Sequence, residues 1–252
     1  MKNLAKLILF AFMVATGIYP QIPSVELKYQ GHASFLMKFD NGRTVLIDYG
    51  ISNVYKEYGY ESPIAPVYIT PDIVTYSHKH KDHCGGVLPD SIKYILNGPD
   101  SLSLDWIEIK MIPAYENSLT TADNFSYVFN YKGISIIHLG DVQALIMNVD
   151  NPLVRAQIKD LYQGKFDIAF IPIGFKSYIA DQAASFAELI NAKVILPMHY
   201  WKHEEKEKFI ELMLNKNGSV KYRLEKSILY TYSQNKYDEN AVIVLDMELY
   251  CK

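Results

Sequence analysis

The 252-residue sequence predicts a mixed α/β (α+β) protein, with layered sheets covered by helices. Three observations carry that expectation. The first half is a succession of short β-like runs split by turn residues, the second half alternates strand-like and helix-like segments, and no Ser/Gly/Pro-rich linker divides them. Composition agrees: at 49% hydrophobic and 21% charged the chain is neither disordered nor fibrous, and it is long enough to bury a real core.

Taken in order, residues 25–30, 33–39 and 44–50 are rich in β-branched and aromatic residues, and Asn41-Gly42 is a hairpin signal between the last two. Residues 72–78 form a further strand that runs into a histidine cluster. Residues 93–98, 106–112, 125–131 and 134–140 continue the pattern, with a tight turn at 131–133. A helix over 151–164 has Pro near its start and Gly at its end. A strand (166–174), a helix (181–192), a strand (193–200) and an amphipathic helix (204–216) follow, and two strands at 227–233 and 241–247 close the chain. Antiparallel meanders are therefore expected first and strand–helix alternation later.

The N-terminus has its own logic. Lys2 and Lys6 precede an uncharged apolar run from Leu7 to about Val14, followed by Ala15, Thr16 and Gly17. This is the layout of a secretory signal peptide, too short for a membrane span. The expectation is a leader over residues 1–19, export to the periplasm or medium, and one domain over residues 20–252 that does not span a membrane. Net charge is −3 with no basic stripe, which argues against a nucleic-acid partner. Of the two cysteines, Cys84 lies in the histidine cluster and Cys251 is penultimate, so no disulfide framework is expected.

The chemistry concentrates in "SHKHKDHCGG", residues 77–86. His78 and His80, two apart on an extended backbone, point to one side. Asp82 and His83 follow, then Gly85-Gly86-Val87, which is expected to open a helix. A solvated charged turn is the plain alternative. Three imidazoles and a carboxylate at this spacing favour a site for Zn²⁺ or another first-row divalent ion. Two later strand ends offer partners: Asp141 after "HLG", a bridging carboxylate, and His199 in "LPMHY", a terminal imidazole. His138 reads as a packed strand residue and His203 as a solvated helix start.

In that order, "SHKHKDHCGG", "HLGD" and "LPMHY" closely resemble the metallo-β-lactamase superfamily. "YQGHASFLMKF…TVLIDYG" and "FDIAFIPIG…DQAASFAELINAKVILPMHY" look similar to its lactonase-like branch of metal-dependent hydrolases. That branch is similar to ascorbate-6-phosphate lactonase and, more distantly, to N-acyl phosphatidylethanolamine phospholipase D. The resemblance covers nearly all of the chain after the leader. It implies a four-layer αββα sandwich with two divalent ions, expected to be Zn²⁺, at one edge of the packed sheets. His78 and His80 would hold the first ion, Asp82, His83 and His199 the second, and Asp141 would bridge them. A hydroxide between the ions would be the nucleophile, with Asp82 holding it and shuttling a proton.

One departure matters. Where the family supplies a further His to the first ion, this chain has "IPAYENS" (112–118), with Glu116 or Asn117 at the matching place. Glu116 as an oxygen ligand would favour Mn²⁺ or Fe²⁺ beside or instead of Zn²⁺. Otherwise the first site is weakened. His32 in "GHASF" is expected in or beside the pocket, and Asp48 in "LIDYG" is expected to orient a ligand imidazole. Lys81 is either a solvated lysine or a rim residue favouring an anionic substrate.

The leading expectation is a metal-dependent hydrolase of an ester, lactone or phosphodiester with a small-molecule substrate. The alternatives are a phospholipase-D-like lipid hydrolase and a catalytically impaired metal- or ligand-binding protein. Substrate, native metal and oligomeric state are not legible in the sequence.

Overall fold

The computed structural model describes residues 22–89, 91–174, 179–215, 222–227, 229–234 and 241–245. The expected leader and Cys251 lie outside them. The smaller sheet contains β1 (Ser24–Gly31), β2 (Ser34–Phe39), β3 (Thr44–Ile47), β4 (Ile73–Thr75), β5 (Tyr94–Leu96) and β13 (Leu229–Ser233), in the order β13-β1-β2-β3-β4-β5. The larger sheet contains β6 (Leu102–Ser103), β7 (Glu108–Ala114), β8 (Asn124–Tyr131), β9 (Ile134–His138), β10 (Ile168–Pro172), β11 (Val194–Met198), β12 (Arg223–Ser227) and β14 (Ala241–Leu245). Its order is β12-β14-β11-β10-β9-β8-β7-β6. The helices are α1 (Gln143–Met147), α2 (Pro152–Leu161), α3 (Ala180–Ile190) and α4 (His203–Asn215).

Local chemistry explains the elements. In β1 the residues Val25, Leu27 and Tyr29 alternate inward, as a strand with one covered face requires. Lys132 and Gly133 both take left-handed φ values, 44° and 85°, which suits the tight hairpin joining β8 to β9. Helix α2 starts where the Asn151 side chain accepts from the Leu153 amide at 2.9 Å, with Pro at its first turn. β10 is buried at every position, because it pairs in parallel with β9 and β11 and is covered on both faces.

The sheets pack face to face. Phe35, Met37, Phe129, Phe170 and Ile243 belong to the core between them. All four helices pack on the outer face of the larger sheet, around Phe186, Ile171 and Phe209. The outer face of the smaller sheet is covered differently. Leu46, Val74 and Tyr76 pack there against Ile64, Val67 and Leu88. Among the described residues that segment is irregular apart from one 3₁₀ turn, Lys56–Tyr58. Among the described residues, no helix is long and apolar enough to cross a membrane.

Three expectations need correction. β4 stops at Thr75, so His78 and His80 sit on the following loop and not on an extended strand. Gly85-Gly86-Val87 opens no helix; Gly85 instead forms an isolated antiparallel bridge with Gly50. β12 was not expected: its sequence RLEKS is exposed along an edge and carries no alternation of apolar residues.

The topology decides where chemistry collects. β7, β9, β10 and β11 run in one direction, as do β3 and β4 in the other sheet. Asp48, His78, Glu116, Asp141 and His199 all come just after the C-terminal ends of such strands. That edge of the sandwich is the place where loops of both sheets converge.

Candidate metal centre

Two groups of donors face each other at this edge. In the first, His78, His80, Glu116 and Asp141 each bring one ligand atom within 4.8 Å of the others. The second is His32, Asp82, His83 and His199, by the same measure. In the first group His78 Nε2 and His80 Nδ1 are 2.9 Å apart, and Glu116 reaches them at 3.7 and 3.4 Å. In the second, Asp82 Oδ2 lies 3.0 Å from His32 Nε2 and 3.8 Å from Nε2 of both His83 and His199. Asp141 belongs to both neighbourhoods. Its Oδ2 is 3.2 Å from His199 Nε2 and 3.9 Å from His78 Nε2, and its Oδ1 is 3.5 Å from His83 Nε2.

The backbone is bent to make this possible. His32, Asp48 and His199 all adopt left-handed φ, at 52°, 46° and 52°. Such a conformation costs a non-glycine residue on the order of 1 kcal/mol or more, and it is characteristic of functional sites. The His199 amide donates to the His32 carbonyl at 3.0 Å, which ties the loop before β2 to the end of β11. Glycine supplies close approach nearby. A Cβ on Gly50 would stand 2.0 Å from the Asp82 carbonyl oxygen.

Buried partners set which ring nitrogen is presented. His83 Nδ1 donates to Asp48 Oδ2 at 2.8 Å, and the Asp48 carboxylate also accepts from the Ser77 amide and hydroxyl, each at 2.6 Å. His199 Nδ1 donates to the Gly174 carbonyl at 2.7 Å. In both rings Nε2 is left to face the carboxylates. His83 Nε2, Asp82 Oδ1, Asp141 Oδ1 and His32 Nδ1 are buried and have no hydrogen-bond partner. An unsatisfied buried polar atom is costly unless something else meets it. Converging imidazole nitrogens and carboxylate oxygens of this kind fit divalent ions.

The electrostatics agree. Burial opposes charge on His83, but Asp141, Asp48 and Asp82 overcome it and push the imidazole up to about 9. His199 is raised in the same way, by Asp141 and Asp82. Burial would raise Asp82 and Asp141, yet the surrounding histidines hold both far below the usual carboxylate range. Burial lowers His32 and His78 to about 4, helped by His199 and His83 respectively. Burial, with Asp141 and Asp123 close by, pushes Glu116 up to about 7. A divalent ion among these donors would take the place of the protons that now join the histidines to the carboxylates.

His78, His80, Asp82, His83, Asp141, His199 and Glu116 converge, and His32 joins the second group directly. Asp48 bonds to His83 from behind. His138 is fully buried on β9, where its Nε2 donates to the Ala33 carbonyl at 3.0 Å, and His203 opens α4 beside Glu207. Cys84 is half-buried and free. Lys81 is exposed, and the cavity of about 610 Å³ over the donors is lined instead by Tyr55, Tyr58, Tyr60, Trp201, Asn117 and Gln143. Sequence reasoning had named Asn117 beside Glu116 and passed over the other five. The signal available was "YKEYGY" (55–60), three tyrosines closed by a glycine turn.

Comparison with known proteins agrees with this geometry. A family model described as a β-lactamase superfamily domain matches residues 26–199. A UPF0173 metal-dependent hydrolase of Methanosarcina mazei is 28% identical over 207 residues, covering 70% of this chain and 83% of its own. One from Thermococcus kodakarensis is 26% identical over 204 residues, covering 70% and 84%. A Thermotoga maritima structure of the metallo-β-lactamase superfamily superposes with a TM-score of 0.60 at 23% identity, over 88% of this chain and 98% of that one. The YhfI structure from Bacillus subtilis, a metallo-β-lactamase fold protein, gives 0.50 at 14% identity, over 76% and 92%. The family match spans both donor groups from His32 to His199, on the two-sheet sandwich that carries them, and the chain belongs to the metallo-β-lactamase superfamily.

Proposed function

We propose that this chain is a metal-dependent hydrolase of small molecules that cleaves an ester, lactone or phosphodiester bond. The observation that carries the reading is the pair of facing donor groups with Asp141 between them. The metal-dependent hydrolases among its relatives support it. His78, His80 and Glu116 would hold one divalent ion, and Asp82, His83 and His199 the other, with Asp141 shared. His32 would either add a nitrogen to the second ion or hold Asp82 through the 3.0 Å contact. The donors are nitrogen and oxygen only, which suits Zn²⁺, and the Glu116 oxygen admits Mn²⁺ or Fe²⁺. Such ions, when bound, lower the pKa of water towards ~7 and polarise a carbonyl or phosphoryl oxygen.

The chain's own groups then have definite work. Asp82 lines the cavity, and its buried Oδ1 has no hydrogen-bond partner; in this reading Asp82 takes a proton from an attacking water and returns it to the leaving group. Asp48 and Gly174 hold His83 and His199 with Nε2 forward. Tyr55, Tyr58, Tyr60 and Trp201 line the same cavity beside the donors. Reconstitution with Zn²⁺ or Mn²⁺, followed by assay against esters, lactones and phosphodiesters, tests the reading. Tight metal binding without turnover of any of them would leave a metal-binding protein of the same fold.

We also propose that the protein acts outside the cytoplasm, on the make-up of its first residues alone. Sequencing the N-terminus of the protein made in its own cells checks this, and a mature chain still starting at Met1 would sink it.

A further inference from the structure

Facing the donors, the cavity has an aromatic wall. Trp201 stands two residues beyond His199, and its ring centroid is 4.5 Å from that of His32 and 5.5 Å from that of His199. Tyr60 meets Trp201 at 5.2 Å and Tyr55 meets it at 6.1 Å, with interplanar angles of 61° and 66°. Rings at such angles enclose a corner and do not stack on one another.

The tyrosines are delivered by a loop built for the purpose. Its base is clamped by backbone and side chain: the Asn53 amide donates to the Ser62 carbonyl at 2.9 Å and the Ser62 amide to Asn53 Oδ1 at 3.0 Å. The Ile64 amide donates to Ser52 Oγ at 2.9 Å. The 3₁₀ turn Lys56–Tyr58 buries none of its residues, so the core does not explain it. Gly59, at φ 82°, reverses the chain and brings Tyr60 back onto Trp201. A tied loop whose tip carries rings over a donor cluster is placed for ligand contact.

The charge pattern narrows the ligand. The acidic residues of the lining, Asp82, Glu116 and Asp141, all belong to the donor groups. Away from them the lining offers ring faces, phenol hydroxyls and the neutral amides of Asn117 and Gln143, and none of its described residues is Lys or Arg. An anionic group on that wall would be desolvated without a cation to offset it. A neutral ring would gain apolar contact from the faces and hydrogen bonds from the hydroxyls and amides.

We propose that the corner of Tyr55, Tyr60 and Trp201 is a substrate subsite for an uncharged ring, so that the substrate is a neutral ring-bearing ester or lactone. The proposal deepens the hydrolase reading and rests on it for the scissile bond only. The sequence has two tryptophans, so Trp106→Phe leaves Trp201 as the sole one in the full zinc-loaded chain. Benzyl alcohol should then change Trp201 emission saturably and bind at least about tenfold more tightly than 1-butanol. Tyr60→Ala should weaken that binding about fivefold or more, and Tyr60→Phe should restore it. In turnover, the kcat/KM preference for phenyl acetate over ethyl acetate should fall by a similar factor in Tyr60→Ala, mainly through KM. An absent response, equal binding of the two alcohols, or tighter binding of benzyltrimethylammonium would overturn the subsite as stated. Retained ring binding with no turnover of any ester, lactone or phosphodiester would overturn the hydrolase reading and leave the subsite standing.

Discussion

His83 Nδ1 and Asp48 Oδ2 share a hydrogen bond of 2.8 Å between two fully buried side chains, and that bond decides which nitrogen His83 turns towards Asp141. Both Asp48 oxygens are engaged, since the Ser77 amide donates to Oδ1 and the Ser77 hydroxyl to Oδ2. In Asp48→Asn the amide nitrogen would have to face one of those donors. Metal affinity should fall about 10–100-fold, as measured by competition with a chelator. An unchanged affinity would mean that Asp48 serves folding alone.

Glu116 stands where a histidine is expected, with its side chain 10% exposed and both oxygens turned to His78 and His80. Glu116→Ala should lower the metal retained after dialysis from about two ions per chain to about one. Glu116→His should restore the ion and move the preference from Mn²⁺ towards Zn²⁺. Full metal retention in the alanine variant would remove Glu116 from the ligand set.

Gly50 lies against the backbone of the Asp82–His83 turn, 2.0 Å from the Asp82 carbonyl oxygen at the place a Cβ would occupy. The neighbour is main chain and cannot rotate away. Gly50→Ala should destabilise the protein by about 1–3 kcal/mol, lowering Tm by about 5 °C, and should weaken the second ion. Calorimetry with metal analysis separates the two effects. A variant matching wild type in both would show that the turn yields freely.

Asp40 ties the two sheets together at the far end: it accepts from the Tyr131 hydroxyl and, at 3.0 Å, from Lys132 Nζ. Burial works against its charge, but these donors hold its carboxyl below the usual range. A depressed carboxylate stabilises the fold above its ordinary pKa of ~4, and the contribution is lost as pH falls through the lower folded value. Asp40→Asn should therefore cost ~1–2 kcal/mol at pH 6, and the gap to wild type should narrow on acidification to pH ~3. Urea unfolding at the two pH values measures it, and a gap that widened in acid would contradict the sign.

Much of the site was legible because its first half is local. His78, His80, Asp82 and His83 fall within six residues, and no other chemistry asks for that spacing so directly. Asp141 and His199 stood out at strand ends, and strand–helix alternation announced the parallel half of the larger sheet. The exposed edge strand β12 and the irregular cover over the smaller sheet were not legible, since neither carries a periodic apolar pattern.

The sequence by itself determined which donors exist, the order in which they come, and the elements that end beside them, because spacing and hydrophobic period are local properties of the chain. The family resemblance already implied that the donors divide between two ions with Asp141 shared; only the tertiary structure brought His32 into the second group. His32 meets Asp82 across 50 positions, through left-handed backbone and a hydrogen bond from the end of β11. Tyr55 and Tyr60 meet Trp201 only because a clamped loop of the smaller sheet folds over a strand end of the larger one. Contacts of that kind depend on how two sheets are stacked, and no short-range pattern encodes the stacking.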